Sequence, residues 1–298
     1  MIIIFLNFKR KQVIAIISIL LASAMVITFL VSGDEIIDRV TNAPTDDAIK
    51  VPIIMYHSIL KEKNRQGQYV IDPADLEADF KNIKEMGFNA IVMKDLLDYV
   101  YRGIPLPEKP IMITFDDGNY NNYVYAFPLA KKYDVKFILS PIAYYVDKYT
   151  DEPDLSPAYA TCSWDTIKEM IDSGYVEMQN HSYNLHSTSN GRMGVRQKKS
   201  EDEAYYKTML TEDIMKAQNA FKENTSWTPT AFTYPFGAYS TLTEDIIKEL
   251  GFKGTFSCET RTNAITRDPT CLFGLGRYIR TNKDNSKEFL RKIENSLK

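Results

Sequence analysis

Short apolar runs and amphipathic stretches take turns along most of this chain. VPIIMYH at 51–57 gives way to DPADLEADFKNIKEMG, then FNAIVM, KDLLDYVYRG, PIMITFD, NYVYAFPLAKKYD and VKFILSP. The apolar runs are strand-length and rich in β-branched residues, whereas the stretches between them repeat their apolar positions at helical spacing. The alternation continues through WDTIKEMIDSG, YVEMQNH, a long helical stretch around 202–224, TAFTYPFG, TEDIIKELG, FKGTFS, GRYIR and a final amphipathic helix from about Asp284. Strands tied one by one to helices predict an α/β fold with a parallel sheet, closed or open. The absence of a G-x-G-x-x-G or P-loop favours the closed form, a distorted (β/α) barrel of about seven parallel strands, with its chemistry on loops at the C-terminal strand ends. Asp72-Pro73 and Ser163 read as helix starts, and Gly87, Gly174 and Gly251 as helix stops.

The first fifty residues break this rhythm. Residues 13–31, VIAIISILLASAMVITFLV, carry no charge and, at about 1.5 Å per residue, are long enough to cross a hydrocarbon core of roughly 30 Å. Lys9, Arg10 and Lys11 precede the run and Asp34, Glu35 and Asp38 follow it, an asymmetry that leaves 1–12 in the cytoplasm and exports the rest. The expectation is one N-terminal transmembrane helix, a single-pass anchor in the cell membrane with the domain extracytoplasmic. Cleavage near Ala22-Ser23-Ala24 would give a secreted chain instead, but would leave MVITFLV on the mature end. Residues 32–50 read as a tether and 51–298 as the domain.

Setting aside Lys9, Arg10 and Lys11 leaves 33 basic against 39 acidic residues, with no basic run suited to nucleic acid. Cys162, Cys258 and Cys271 form no C-x-x-C pair, which excludes a thiolate zinc site and a disulfide framework; a single Cys258–Cys271 bridge is the most the set allows.

The chemistry gathers where strands end. TFDDG, Thr114 to Gly118, sets two carboxylates side by side after an apolar run. Each of the three histidines ends or follows a strand: His57 in VPIIMYH, and His181 and His186 in QNHSYNLH. Five residues apart on a helix, His181 and His186 would not share a face, but a loop curling at the strand end lets both imidazoles converge. Two imidazoles and one carboxylate make a common catalytic zinc set that leaves a coordination position for water. The second carboxylate, pointing the other way along the strand, is then free to act as a base. Alone, Asp-Asp-Gly reads as a turn, His57 as a core residue, and His181 and His186 as loop residues.

Together these motifs resemble the polysaccharide deacetylases with the NodB-homology domain, carbohydrate esterase family 4, over roughly 52–280. The resemblance implies that Asp116 is the base and that Asp117, His181 and His186 hold Zn²⁺ or another divalent cation such as Co²⁺ or Mn²⁺. The five-residue histidine spacing and the upstream MYHS are similar to the branch that de-N-acetylates poly-β-1,6-N-acetylglucosamine, in which the upstream histidine, here His57, protonates the leaving amine. No histidine follows His186, so the family's Leu-x-His acid has no counterpart. Thr233-Tyr234-Pro235-Phe236-Gly237 resembles the motif Arg-x-Pro-Tyr/Phe with Thr233 in the arginine's place, leaving Arg277 or Arg280 to partner the base. The same motif implies that the Phe236 N–H helps hold an oxyanion. Tyr234, Pro235 and Trp164 are the expected substrate contacts. The implied activity is removal of N-acetyl groups from N-acetylglucosamine units of an extracellular or cell-wall polysaccharide. A glycan-binding module without turnover, a β-1,4 deacetylase and an O-acetyl esterase are the other readings.

Trp164 also suits packing at a helix start, Asp165 and Glu177 suit capping and solvent, and GRMGVRQKK suits a solvated loop.

Overall fold

Period-two alternation governs the strands, and it sorts their side chains between two apolar layers. The computed structural model describes residues 48–298; the anchor expected over 13–31, the segment 1–12 and nearly all of the tether lie outside the described residues. Among the described residues no helix is long and apolar enough to cross a membrane. In chain order the elements are β1 (Ile49–Val51), β2 (Ile53–Tyr56), β3 (Ser58–Ile59), β4 (Val70–Ile71), α1 (Pro73–Glu85), β5 (Asn89–Ile91), α2 (Met93–Arg102), β6 (Pro110–Asp117), α3 (Phe127–Tyr133), β7 (Phe137–Pro141), α4 (Ala143–Asp151) and α5 (Trp164–Asp172). They continue with β8 (Val176–Met178), α6 (Glu203–Thr225), β9 (Ala231–Thr233), α7 (Thr241–Glu249), β10 (Gly254–Phe256), β11 (Asn263–Ile265), β12 (Tyr278–Ile279) and α8 (Ser286–Asn295).

The pairings run in a circuit. β12 lies parallel to β2, β2 to β6, β6 to β7 and β7 to β8. Asn180, just past β8, bridges to Phe232 in β9; β9 pairs with β10; and Phe256 of β10 bridges to Leu275, just before β12. The sheet therefore closes through seven parallel strands, with the β8–β9 and β10–β12 joints narrowed to single bridges. β5 adds to the start of β6, and β1 pairs antiparallel with β11 beside the start of β2. Ile49 and Lys50, just before the expected boundary at 51, already belong to β1.

Ile53, Met112, Ile138 and Phe256 pack together in one cluster, while their sequence neighbours Ile54, Ile113 and Leu139 join Phe80, Phe115 and Leu290 in another. The first fills the barrel and the second seals the strands against α1 and α8. Burial on both faces explains why these strands read as continuous apolar runs. Asp72 caps α1 by accepting from the Ala74 N–H, and Ser163 caps α5 by accepting from the Thr166 N–H. Gly87, Gly174 and Gly251 have positive φ after their helices, as a stop requires. The alternation also carries upward: on β6 the inward positions after Met112 are Thr114 and Asp116, and on β2 those after Ile53 are Met55 and His57. The apolar filling at one end thus gives way to polar side chains at the C-terminal ends of the strands.

Candidate active site

Asp116 arrives in the barrel by strand alternation; Asp117 does not. A regular strand would send the second carboxylate outward with Phe115. Instead Asp117 has φ 70°, and the Gly118 N–H bonds back to the Asp116 carbonyl at 2.9 Å, a three-residue turn that is strained for any residue but glycine. The turn swings Asp117 into the same pocket as Asp116, which corrects the expectation that the two acids point opposite ways. Gly118 itself is required, since a Cβ there would lie 2.3 Å from Pro141 Cβ.

Asp117 Oδ1 lies 3.6 Å from His181 Nε2 and 3.5 Å from His186 Nε2, and the three ligand atoms fall within 4.8 Å of one another. Bonds of about 2.1 Å in tetrahedral array put ligand atoms roughly 3.4 Å apart, so one cation fits these residues. Asp117 Oδ1 is buried with no hydrogen-bond partner, and a bound cation would satisfy it. The His181 Nδ1–H donates to the Thr233 carbonyl at 2.8 Å, which turns a bare Nε2 toward Asp117. Burial alone would raise the Asp117 pKa, but the neighbouring His181, His57 and His186 rings hold it far below the usual carboxylate range. Burial and the neighbouring His181 push His186 down to about 4, so its imidazole is neutral and able to ligate at ordinary pH.

The expected loop does bring the histidines together, with ring centroids 5.0 Å apart. Ser182 turns through φ 71°, its N–H held by the Asn180 side chain. Asp213 on α6 accepts the Tyr183 and Asn184 N–H groups at 2.8 and 2.9 Å. Nothing in the sequence around Asp213 distinguishes it from other helix acids. Asn122, after TFDDG, likewise holds the His57 carbonyl through its side-chain amide at 2.8 Å.

Arg277, one of the two expected candidates, partners Asp116. Its guanidinium grips Asp116 through both oxygens at 2.7 and 2.8 Å, both side chains buried, and it also donates to the Ser257 carbonyl and to Thr114. Burial raises the Asp116 pKa, but Arg277, His57 and His181 together more than offset it and keep the carboxyl ionised. Arg280, the other candidate, turns outward to Asp79. Thr233 fills the arginine's usual place with a hydroxyl bonded to Ser140 at 2.8 Å. His57 faces Asp116 with Nε2 at 3.8 Å from Oδ2.

These groups line a pocket of about 500 Å³ whose wall includes Phe236, Tyr69 and Cys258. Phe236 is exposed, has φ 58° and packs its ring 4.1 Å from that of His186. The three expected sugar contacts lie off this wall. Tyr234 is fully buried and stacked on Tyr239 with centroids 4.2 Å apart, because β9 turns it outward beneath α7. Pro235 is buried against Gly194. Trp164 packs edge-on to Phe221 and donates its indole N–H to Asp147 at 2.7 Å, the packing role. Glu177 is buried and accepts the Lys94 N–H at the start of α2, so the solvent reading fails for it. Asp165 is exposed in the first turn of α5, as expected. All three cysteines are free, and no Cys258–Cys271 bridge forms.

A closed parallel barrel carries, at its strand ends, a cation-sized donor set beside an arginine-held carboxylate and a histidine, the parts that metal-assisted hydrolysis uses. A family model described as polysaccharide deacetylase matches residues 103–255, half of the chain, and the chain belongs to that family. It is 24% identical over 261 residues to poly-beta-1,6-N-acetyl-D-glucosamine N-deacetylase of Escherichia coli strain K12, covering 80% of this chain and 38% of that one. It is 24% identical over 193 residues to the enzyme of the same name from Staphylococcus aureus strain N315, covering 65% and 62%. The chain thus spans well under half of the first relative and under two thirds of the second. Among solved structures, the fold is similar to a de-N-acetylase from Aggregatibacter actinomycetemcomitans (TM-score 0.68, 22% identity, 80% of this chain and 99% of that one). It is also similar to IcaB from Ammonifex degensii (TM-score 0.67, 25% identity, 81% and 96%).

Proposed function

We propose that this protein removes N-acetyl groups from N-acetylglucosamine units of a polysaccharide, poly-β-1,6-N-acetylglucosamine in preference to β-1,4 polymers. The observation that carries the reading is the pairing of the Asp117–His181–His186 set with an arginine-clamped Asp116 in one pocket. A divalent cation held by that set, zinc, cobalt or manganese, would supply Lewis acidity, polarising a carbonyl and acidifying a water. Asp116, kept ionised by Arg277, takes the proton of the attacking water. The water oxygen adds to the acetamide carbonyl carbon, and the Phe236 N–H is the proposed donor to the oxygen that gains charge. His57 delivers a proton to the nitrogen as the carbon–nitrogen bond breaks, leaving acetate and a free amine. The names of the two relatives support the β-1,6 preference. Arg277 supplies beside Asp116 the charge that Thr233 lacks, which supports turnover over a glycan-binding module. The domain is proposed to work outside the cytoplasm, anchored by residues 13–31 if these remain uncleaved, and its sole proposed partner besides the membrane is the acetylated polymer.

The test is acetate release from β-1,6 and β-1,4 N-acetylglucosamine oligomers, with and without chelator. The expected result is chelator-sensitive release, faster on the β-1,6 series. Asp116→Asn should bind metal and lose about 10²–10⁴ in turnover, whereas His181→Ala should lose both. Chelator-resistant release, or a fully active Asp116→Asn, would overturn the proposal.

A further inference from the structure

The wall of the pocket beside His57 is built in part by a segment that periodicity does not announce. After His57 the chain forms two-residue β3, loops out, and returns as two-residue β4 parallel to it. The Ser58 N–H donates to the Tyr69 carbonyl at 3.0 Å and the Leu60 N–H to the Ile71 carbonyl at 3.0 Å, so Tyr69 is locked to the backbone that carries His57. The loop is tied further by Asn282 N–H to the Gly67 carbonyl at 3.2 Å and by Gln66 to Leu60 and Asp72.

On this rigid support Tyr69 sets its ring edgewise to His57, with centroids 4.8 Å apart, yet stays 51% exposed. The Gln68 amide donates to the Tyr69 hydroxyl at 3.3 Å, and both side chains line the pocket. A large aromatic ring held this firmly and left open to solvent gains little from the protein itself; it gains by meeting a ligand face. A pyranose offers that match, with an apolar face of C–H groups for the ring and rim hydroxyls for an amide such as Gln68, which retains donor and acceptor capacity.

We propose that Tyr69, with Gln68 at its edge, is the sugar platform on the His57 side of the pocket. It positions the acetylated hexosamine ring so that its nitrogen lies toward His57. This rests on the deacetylase reading above. Phe236, the other exposed ring on the wall, packs against His186, whereas Tyr69 packs against His57.

The experiment compares Tyr69→Phe, Tyr69→Leu and Tyr69→Ala on a β-1,6 N-acetylglucosamine pentamer. Tyr69→Ala and Tyr69→Leu should each raise KM about tenfold with a much smaller change in kcat, and Tyr69→Phe should restore most of the loss because it keeps the ring. A Tyr69→Leu enzyme matching the parent would overturn the platform, since filler alone would then suffice. A fall confined to kcat would do the same. Pentamer binding is also measured by calorimetry in the Asp116→Asn background, with and without Tyr69→Ala. Weakening of about tenfold supports the platform even if the parent releases no acetate, the outcome that sinks only the deacetylase reading; equal binding sinks the platform whatever the turnover.

Discussion

Two arginines three residues apart each hold a buried aspartate, and the two pairs do different work. Arg277 points into the barrel and clamps Asp116 beneath the pocket. Arg280 points to α1, where Asp79 receives it at 2.9 Å together with the Tyr56 hydroxyl at 3.0 Å. Burial dominates at Asp79 and raises its pKa, with Arg280 only partly offsetting the cost. At Asp116 burial is outweighed by Arg277 together with the adjacent His57 and His181, and the pKa falls. On the proposed mechanism Asp116 must be ionised yet reachable, and the groups around it keep it so. A carboxylate that only ties a helix to a strand has no such requirement.

The sharpest way to break the comparison is to remove Arg277. Arg277→Met leaves Asp116 buried without its main counter-charge, which should destabilise the fold by about 3–5 kcal/mol and depress kcat/KM. In the parent, the Asp116 contribution to stability is intact above the ordinary carboxylate pKa and is lost as pH falls through the depressed folded value. In the variant the folded value rises, so stability falls with increasing pH instead, and the acid limb of kcat/KM moves upward. Thermal melts and rate profiles across pH check both. A variant whose acid limb stays in place would show that Arg277 does not set the charge on Asp116.

Much of this site was legible because its signals are local. TFDDG follows an apolar strand directly, and His181 and His186 sit five residues apart in one loop. The seven-strand closure was legible because each strand is buried on both faces and reads as an apolar run. Arg277 could be narrowed to one of two residues but not chosen, because it meets Asp116 across 161 positions of sequence and a three-residue shift along the chain turns its neighbour out of the barrel. α4 was missed because Tyr144, Tyr145 and Val146 favour a strand locally, and packing of Ala143 and Val146 overrides that preference. β3 and β4 are too short for any period to show. Tyr234 was misplaced because a motif gives residue order but not which side of a strand each residue faces.

A smaller effect is expected from the second pair. Asp79→Asn keeps an acceptor for Tyr56 but leaves Arg280 without a counter-charge, so stability should drop by up to about 3–5 kcal/mol. Turnover of the folded fraction should change little, since the pair lies on the outer side of β2 and β12, away from the pocket. Melting temperature and kcat measured on the same preparations separate the two. A loss of kcat comparable to that of Arg277→Met would mean that the pairs are coupled through β12.

Glu177 supplies the smallest and most selective test, because it is a buried acid with no arginine at all. It accepts the Lys94 N–H at 3.1 Å and the Gln179 amide at 2.7 Å, and burial pushes its pKa up to about 7. A folded value above the unfolded one means that its contribution to stability is fully present below the unfolded pKa and is lost as pH rises through about 7. The parent should therefore lose up to about 3 kcal/mol between mildly acid and mildly alkaline pH from this group alone. Glu177→Gln retains the shape and an acceptor for Lys94 without ever charging, so its melting temperature should exceed the parent's at alkaline pH and converge with it near pH 5. Parallel curves across that range would mean that Glu177 is charged in the folded protein and that some cation near α2 compensates it, as Arg277 does for Asp116.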